Sequence, residues 1–368
     1  MTHGFSGSYL PEDVTFLLKR IELPFTTIAE KERLIQSGAR HYSEMISRES
    51  PPSPAYLNLF EKACLINGER FAIDLIHLAR HLADTVSGEL TIVSLARAGT
   101  PVGVLLKRLL ERYLNRNCRH YSISIIRDRG IDTNALRYIL DHEQRSESSI
   151  VFIDGWTGKG VIAAELKHCV ERFNRDHGSR LAPDLHVVTD ISGTAAYSPS
   201  CDDYLVPSAI MNAVVSGLIS RSVLNYEVIG SKDFHGCLYY QELEDTDLSK
   251  RFVDEVTATS ARLWLKVTGP PKVCAPREKA ELLRRSQEFM GEMQARFGVS
   301  SVNHVKPGIG EATRVLLRRV PSLLLVQDVT IPDVAHLKQL ALEKHVPIEE
   351  DSRLPYRAAA IIAEAERL

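Results

Sequence analysis

The chain has 368 residues, 44% hydrophobic and 25% charged, with a formal net charge of −2. This composition excludes disordered and fibrous classes and any global attraction to nucleic acid or membrane, so a polyanion could be held only by a local patch. Cys64, Cys118, Cys169, Cys201, Cys237 and Cys274 are scattered without a C-x-x-C pair, which argues against a zinc knuckle or disulfide framework and predicts reduced, mostly structural thiols.

In chain order, the N-terminus lacks a basic-then-apolar leader, and no apolar run approaches the roughly 20 residues of a spanning helix. A cytoplasmic protein with no membrane partner is expected. Residues 1–85 read as a mainly helical extension, and beyond 86 the pattern alternates. Thr91–Leu95 reads as a strand, and Pro101–Leu114 as a helix with proline in its first turn. Tyr121–Ile126 reads as a strand, Asp132–His142 as a capped helix, and Ile150–Ile153 as a strand buried on both faces. A long helix to Phe173 and a strand at Leu185–Thr189 follow. This alternation implies an α/β fold with a parallel sheet, whose ligands sit beyond the carboxyl ends of the strands.

Three turns at those ends carry the chemistry. After the first strand comes ARAGTP, with Arg97, Ala98 and Gly99; after the second comes RDRGID, with Arg127 and Arg129. After the third comes Asp154 and then Gly155, Thr157, Gly158, Lys159 and Gly160, opening a helix. Amides at a helix N-terminus and nearby cations suit phosphate, and a carboxylate suits ribose hydroxyls. The P-loop pattern is absent, because Gly158-Lys159 is followed by Gly160 and Ile153 stands where the first glycine belongs. A structural corner without ligand is the competing reading.

The segment from about Leu90 to Asp190 resembles the type I phosphoribosyltransferases. That resemblance implies a transferase-like parallel sheet binding phosphoribosyl pyrophosphate (PRPP) and an unknown acceptor. Arg97, Ala98 and Gly99 would meet pyrophosphate, the residues from Gly155 to Gly160 the 5′-phosphate, and Asp154 the ribose and its cation-like carbon. Arg127 and Arg129 would lie on the closing loop. Mg²⁺ would come with PRPP, without a metal site built from protein ligands. One departure is Gly155, which stands where the family's second acid belongs.

The whole chain resembles the StiP family of tellurite-resistance and stress gene clusters. The carriers are HYSEMISRESPPSPAYLNLF (41–60), SLARAGTPVGVLLKR (94–108), HYSISIIRDRGID (120–132), DYLVPSAIMNAVVSGLISRSVLN (203–225) and DFHG (233–236). That family carries the label cysteine protease. A nucleophilic thiol needs a base and an electropositive setting. Cys169 and His168 point apart on a helix, and Cys201 adjoins Asp202 and Asp203. Cys237 with His235 is the best thiol candidate. Within 203–225, Ser208, Asn212, Ser216, Ser220 and Arg221 recur at helical spacing among apolar residues, predicting a packed helix end, with a lid or nucleobase pocket as the alternative.

Residues 268–280 read as a linker and 281–368 as a small α-β-α sandwich whose last element, through RAAAIIAE, is a helix. This part resembles the Pelota-type RNA-binding domain through Gly308, Glu311, Ala312, Thr313 and Arg314, the strand at Leu323–Asp328, and Leu354–Ala360. Gly310 replaces the asparagine of that family's Gly-x-Asn-Glu. Lys306, Arg314, Arg318 and Arg319 form a basic patch with only Glu311 among them, suited to RNA phosphates, though no aromatic interleaves it. Three functions therefore stand in order: a PRPP-dependent transferase, an RNA-associated stress factor with a metabolite-sensing domain, and a cysteine protease. Assembly into a homo-oligomer is left open.

Overall fold

The computed structural model describes residues 4–297, 304–319 and 321–362, without the side chains of Ile28, Glu32, Gln36 and Arg318. The first segment gives β1 (Thr15–Leu17), β2 (Lys19–Arg20), α1 (Ile28–Gln36) and α2 (Pro54–Thr85). Helix α2 starts sharply because the Ser53 hydroxyl accepts the Tyr56 N–H at 3.3 Å and Pro54 needs no donor partner in the first turn. Then follow β3 (Leu90–Ala96), α3 (Thr100–Leu114), β4 (Cys118–Ile126), β5 (Gly130–Ile131) and α4 (Thr133–Arg137). Next come β6 (Ile150–Ile153), β7 (Trp156–Thr157), α5 (Val161–His177), β8 (Leu185–His186) and β9 (Thr189–Asp190).

The central sheet runs β1-β4-β3-β6-β8 with every pairing parallel, and β5 folds back antiparallel on β4. Its strands alternate between two cores. Ile92, Val151 and Ile153 face α2 and α3, joined by α6 (Ser249–Leu263), which follows the short β10 (Gly236–Cys237) paired with β2. Val93, Leu95, Ile123 and Phe152 face Leu166, Val170 and Phe173 of α5. Both faces are covered, which is why these strands read as continuous apolar runs.

Two expectations in this part give way. The strand foreseen at Leu185–Thr189 stops at His186, and Thr189–Asp190 pairs with Trp156–Thr157 of the glycine turn instead. The helical spacing in 203–225 is not used: short 3-10 turns at Pro207–Ile210 and Ala213–Val215 are joined by irregular chain, with Gly217 and Leu218 in left-handed conformation. Val206, Ile210, Val215 and Ile219 are buried, and so are Ser208, Ser216 and Ser220, so the segment is enclosed on every side and its periodicity has no exposed face to report.

The C-terminal part consists of α7 (Pro276–Phe297), β11 (Val305–Pro307), α8 (Ile309–Arg318), β12 (Pro321–Val326), α9 (Ala335–Glu343), β13 (Ile348–Glu350) and β14 (Ala358–Ile362). Its sheet runs β11-β14-β12-β13, parallel only between β12 and β13. The run of alanines expected as a helix is β14, between β11 and β12. Small side chains let α7 pack on one face, through Phe289 and Met293 against Ala359, and α8 and α9 on the other against Ala358 and Ala360. Tertiary packing overrides alanine's helix propensity here.

Asp203 ties the two parts together. Its carboxylate accepts the Ile309 and Arg357 N–H groups, each at 2.9 Å. Cys201, two residues earlier, is bonded to Cys274 with a Cα–Cα distance of 6.1 Å. The reduced state expected for these two thiols is thus corrected: their spacing of 73 residues is silent, and only the fold brings the loop beside the linker.

Candidate functional site

The glycine turn is built on a second aspartate. Asp190 accepts the Thr157 hydroxyl, the hydroxyl and N–H of Ser192, and the N–H groups of Thr194 and Ala195. Thr157, expected to grip phosphate, therefore directs its hydroxyl into the protein. Gly160 has φ of 78°, and a Cβ there would lie 2.5 Å from Thr194 Cγ2. Gly99 is required by close approach, since a Cβ would lie 2.5 Å from the Ile153 carbonyl oxygen and 3.1 Å from Asp154 Cα. The turns after β3 and β6 thus pack directly on each other, with Ala98 against Gly155.

Asp154 is partly buried beside these turns, its Oδ1 accepting the Gly155 N–H at 2.8 Å. Burial pushes its carboxyl up to about 7, against the opposing pull of that N–H and of Arg314. Arg314 comes from α8, so the core turn and the C-terminal part share one electrostatic environment. Gly158 lies against Glu311, and Gly310 against Trp156: a Cβ on each would stand 3.8 Å from Glu311 Cγ and 4.0 Å from Trp156 Nε1. A small cavity between the parts is lined by Trp156, Thr157, Asp203, Gly308, Gly310 and Glu311.

Cations converge on this junction from several segments. Burial, then Lys306 and Arg127, push the half-buried Lys159 ammonium down to about 8, with Glu311 opposing. Lys306 is lowered by burial and by Arg127, Arg314 and Arg319, again with Glu311 opposing. Arg314 pairs with Glu311 at 3.0 Å, and Arg127 with Asp128 at 3.3 Å. The Arg318 side chain lies outside the described residues. Residues assigned in the sequence to two separate sites, Asp154 and Lys159 on one side and Lys306, Glu311, Arg314 and Arg319 on the other, therefore share one electrostatic neighbourhood, and Gly308 and Glu311 line the cavity itself.

Other expected site residues turn elsewhere. Arg97 pairs with Glu49 at 2.7 Å and donates to the Ile219 carbonyl at 2.9 Å. Arg129 pairs with Glu44 at 3.1 Å. The His235 ring shares a hydrogen bond with Ser124 Oγ at 2.8 Å, and the His235 backbone N–H donates to Asp132 at 2.6 Å. Cys237 is fully buried, and burial pushes its thiol up to about 12. Tyr42 and Trp156 were not singled out. The Arg127 and Arg221 guanidiniums lie 5.5 and 5.4 Å from the Tyr42 ring centre, and its hydroxyl accepts the Arg127 N–H at 3.0 Å. A tryptophan inside a glycine turn was the available signal for Trp156.

A family model described as "Tellurite-like stress resistance cysteine protease StiP" matches residues 7–257. A protein of Acinetobacter baylyi named "Cysteine protease StiP" is 40% identical over 372 residues, covering 98% of this chain and 95% of that one. The chain belongs to the StiP family. A model described as "PELOTA RNA binding domain" matches residues 284–364, so the cavity lies where the two matches meet. No helix among the described residues is long and apolar enough to cross a membrane.

Membership corrects the expected enzyme class. The phosphoribosyltransferase assignment, and the ranking of the cysteine protease below it, are overturned by a whole-length relative that carries the protease name. The geometry supplies a physical reason: the arginine meant for pyrophosphate is committed to Glu49, the Thr157 hydroxyl to Asp190, and Gly155 leaves Asp154 without a second acid.

Proposed function

We propose that the chain is a thiol peptidase acting in stress resistance, the activity named in its relative, and that its working thiol is Cys201. The supporting observation is the Cys201–Cys274 pair, the one place among the described residues where two sulfurs meet. A peptidase needs an accessible thiolate. Burial raises the thiols of Cys64, Cys118 and Cys237 to about 12 and also raises Cys169. Cys201 is the more exposed partner of the disulfide, so reduction by a dithiol presents it to a peptide. The neighbouring acids do not oppose it as adjacency suggests: Asp202 pairs with Arg70, and Asp203 turns to the amides of Ile309 and Arg357. A carboxylate oxygen of Glu278 lies within 4.8 Å of both sulfurs, placed to take the thiol proton. Attack of the sulfur on a peptide carbonyl would form a thioester and release the amine with that proton; water then frees the acid.

Peptide cleavage should require a dithiol and disappear in Cys201→Ser, while serine at Cys64, Cys118, Cys169 or Cys237 leaves it intact. Cleavage by a Cys201→Ser, Cys274→Ser double variant would sink the assignment of the thiol. Cleavage by a protein with all six cysteines replaced would sink the peptidase reading. The C-terminal part is read as contacting RNA, on the support of its family match and of Lys306, Arg314 and Arg319 at the junction.

A further inference from the structure

We propose that the Cys201–Cys274 pair, once reduced, is a binding site for a thiophilic divalent cation, Zn²⁺ above all, with Glu278 as its third ligand. Metal binding itself goes beyond the peptidase reading. Only the effect of the metal on cleavage rests on that reading, in which Cys201 and Glu278 are nucleophile and base.

Three observations carry it. The first is the donor set. One oxygen of Glu278 and the two sulfurs lie within 4.8 Å of one another. Two thiolates and a carboxylate form a donor set that suits zinc and not the harder Mg²⁺ or Ca²⁺. In a tetrahedral site with Zn–S bonds of about 2.3 Å the sulfurs stand roughly 3.8 Å apart. Cys274 is buried and Cys201 partly exposed, so the Cys201 side chain has room to open that gap and water to take the fourth position.

The second is that the two backbones are held together without the disulfide. The Cys274 N–H donates to the Ser198 carbonyl at 3.1 Å, and the Tyr197 hydroxyl to the Lys272 carbonyl. Lys279 Nζ donates to the carbonyls of Ala195 and Ala196 at 2.8 and 2.7 Å. Gly193 lets the start of α7 approach so closely that a Cβ there would collide with the Lys279 carbonyl oxygen. Reduction therefore leaves the thiols side by side, in a site that costs little further ordering to occupy.

The third is Glu278 itself. Along α7, Glu281 and Glu288 are both taken by Arg284, at 2.7 and 2.6 Å, whereas Glu278 makes no hydrogen bond or ion pair among the described residues. Lys279 is committed to its two carbonyls and Arg70 to Asp202, which leaves the three donors to a metal. Reduction adds two electrons and two protons to the disulfide. Zn²⁺ then replaces the two thiol protons, which pass to solvent, and no further electron moves. The metal would tie the loop after β9 to the start of α7 in place of the S–S bond.

The test uses the full chain reduced with a phosphine, desalted without oxygen and titrated with Co²⁺ as a spectroscopic stand-in for Zn²⁺. One equivalent should give a near-ultraviolet sulfur-to-cobalt charge-transfer band and the strong visible bands of a tetrahedral ion, both erased by Zn²⁺. The oxidised protein should give neither. Cys201→Ser and Cys274→Ser should each lose most of the charge-transfer intensity. Glu278→Gln should keep that band and weaken Zn²⁺ binding by about tenfold or more, since even the outer partners of metal ligands are worth that much. Zn²⁺ should raise the melting temperature of the reduced parent and leave that of the oxidised parent unchanged, a readout that needs no variant to fold. A reduced parent without the band overturns the site, as does a band that survives in the Cys201→Ser, Cys274→Ser double variant. Unchanged affinity in Glu278→Gln overturns the third ligand. The two readings fail separately: if the band is present and saturating Zn²⁺ leaves peptide cleavage intact, the metal site stands and Cys201 is not the peptidase thiol.

Discussion

Asp203 and Asp154 stand at the same junction and are held in opposite ways. Asp203 is buried and meets the backbone N–H groups of Ile309, at the start of α8, and of Arg357, just before β14. Asp154 is partly exposed and has the Gly155 amide, with Arg314 nearby. Burial raises both, Asp203 to about 6 and Asp154 to about 7, and the richer amide shell restrains the first more. A carboxylate enclosed by amides serves as a latch. One with a single amide and only a nearby arginine is a larger cost to stability, which is the pattern of a position kept for binding.

The latch should give the larger effect. Asp203→Ala strips the Ile309 and Arg357 N–H groups of their acceptor, at about 1–3 kcal/mol each, so a loss on the order of 3 kcal/mol is expected in urea unfolding. The C-terminal sheet should then unfold in a separate, earlier transition. An unchanged midpoint would remove the latch from the account, and with it the distinction between the two aspartates.

Asp154 should behave in reverse. A carboxyl whose folded pKa lies above its unfolded value binds more protons when folded, so its contribution to stability falls as pH rises from about 4 to about 7. Asp154→Asn keeps an oxygen for the Gly155 N–H and removes the charge. It should stabilise the protein by about 2 kcal/mol at pH 8, discounted for partial exposure, and by little at pH 4. Equal stability of variant and parent at both pH values, followed by thermal melts, would break the contrast.

The smallest effect tests the turn itself. Thr157→Val removes one donor from Asp190, which keeps the amides of Ser192, Thr194 and Ala195. A cost of about 1 kcal/mol is expected, with RNA affinity unchanged. A large loss of RNA affinity at unchanged stability would mean that the hydroxyl faces the ligand, contrary to its bond to Asp190.

Much of the core was legible in the residues. Ile150–Ile153 and the runs before Ala96 and Ile126 read as strands because a parallel sheet covered on both faces leaves no polar alternation. The helix at Thr100–Leu114 was marked by its proline, and that after Gly160 by the glycine turn. The resemblance to the StiP family was equally legible, since several long segments carried it. Ala358–Ile362 was not, because three alanines favour helix locally and become a strand only when helices press on both sides. The 203–225 segment misled for a related reason: helical spacing informs only when one face meets water.

The sequence by itself determined which chemical groups are present: cations and a carboxylate at strand ends, a basic patch before and along α8, and six thiols without a short-range partner. Tertiary structure alone decided their company. Glu49 takes Arg97, Asp190 takes the Thr157 hydroxyl, and the linker brings Cys274 to Cys201. Docking through Asp203 places Lys306 and Arg314 beside Lys159 and Asp154. Each pairing joins residues far apart in the chain. Local propensity and spacing act over a few residues, whereas electrostatic and packing partners are set by distance in space.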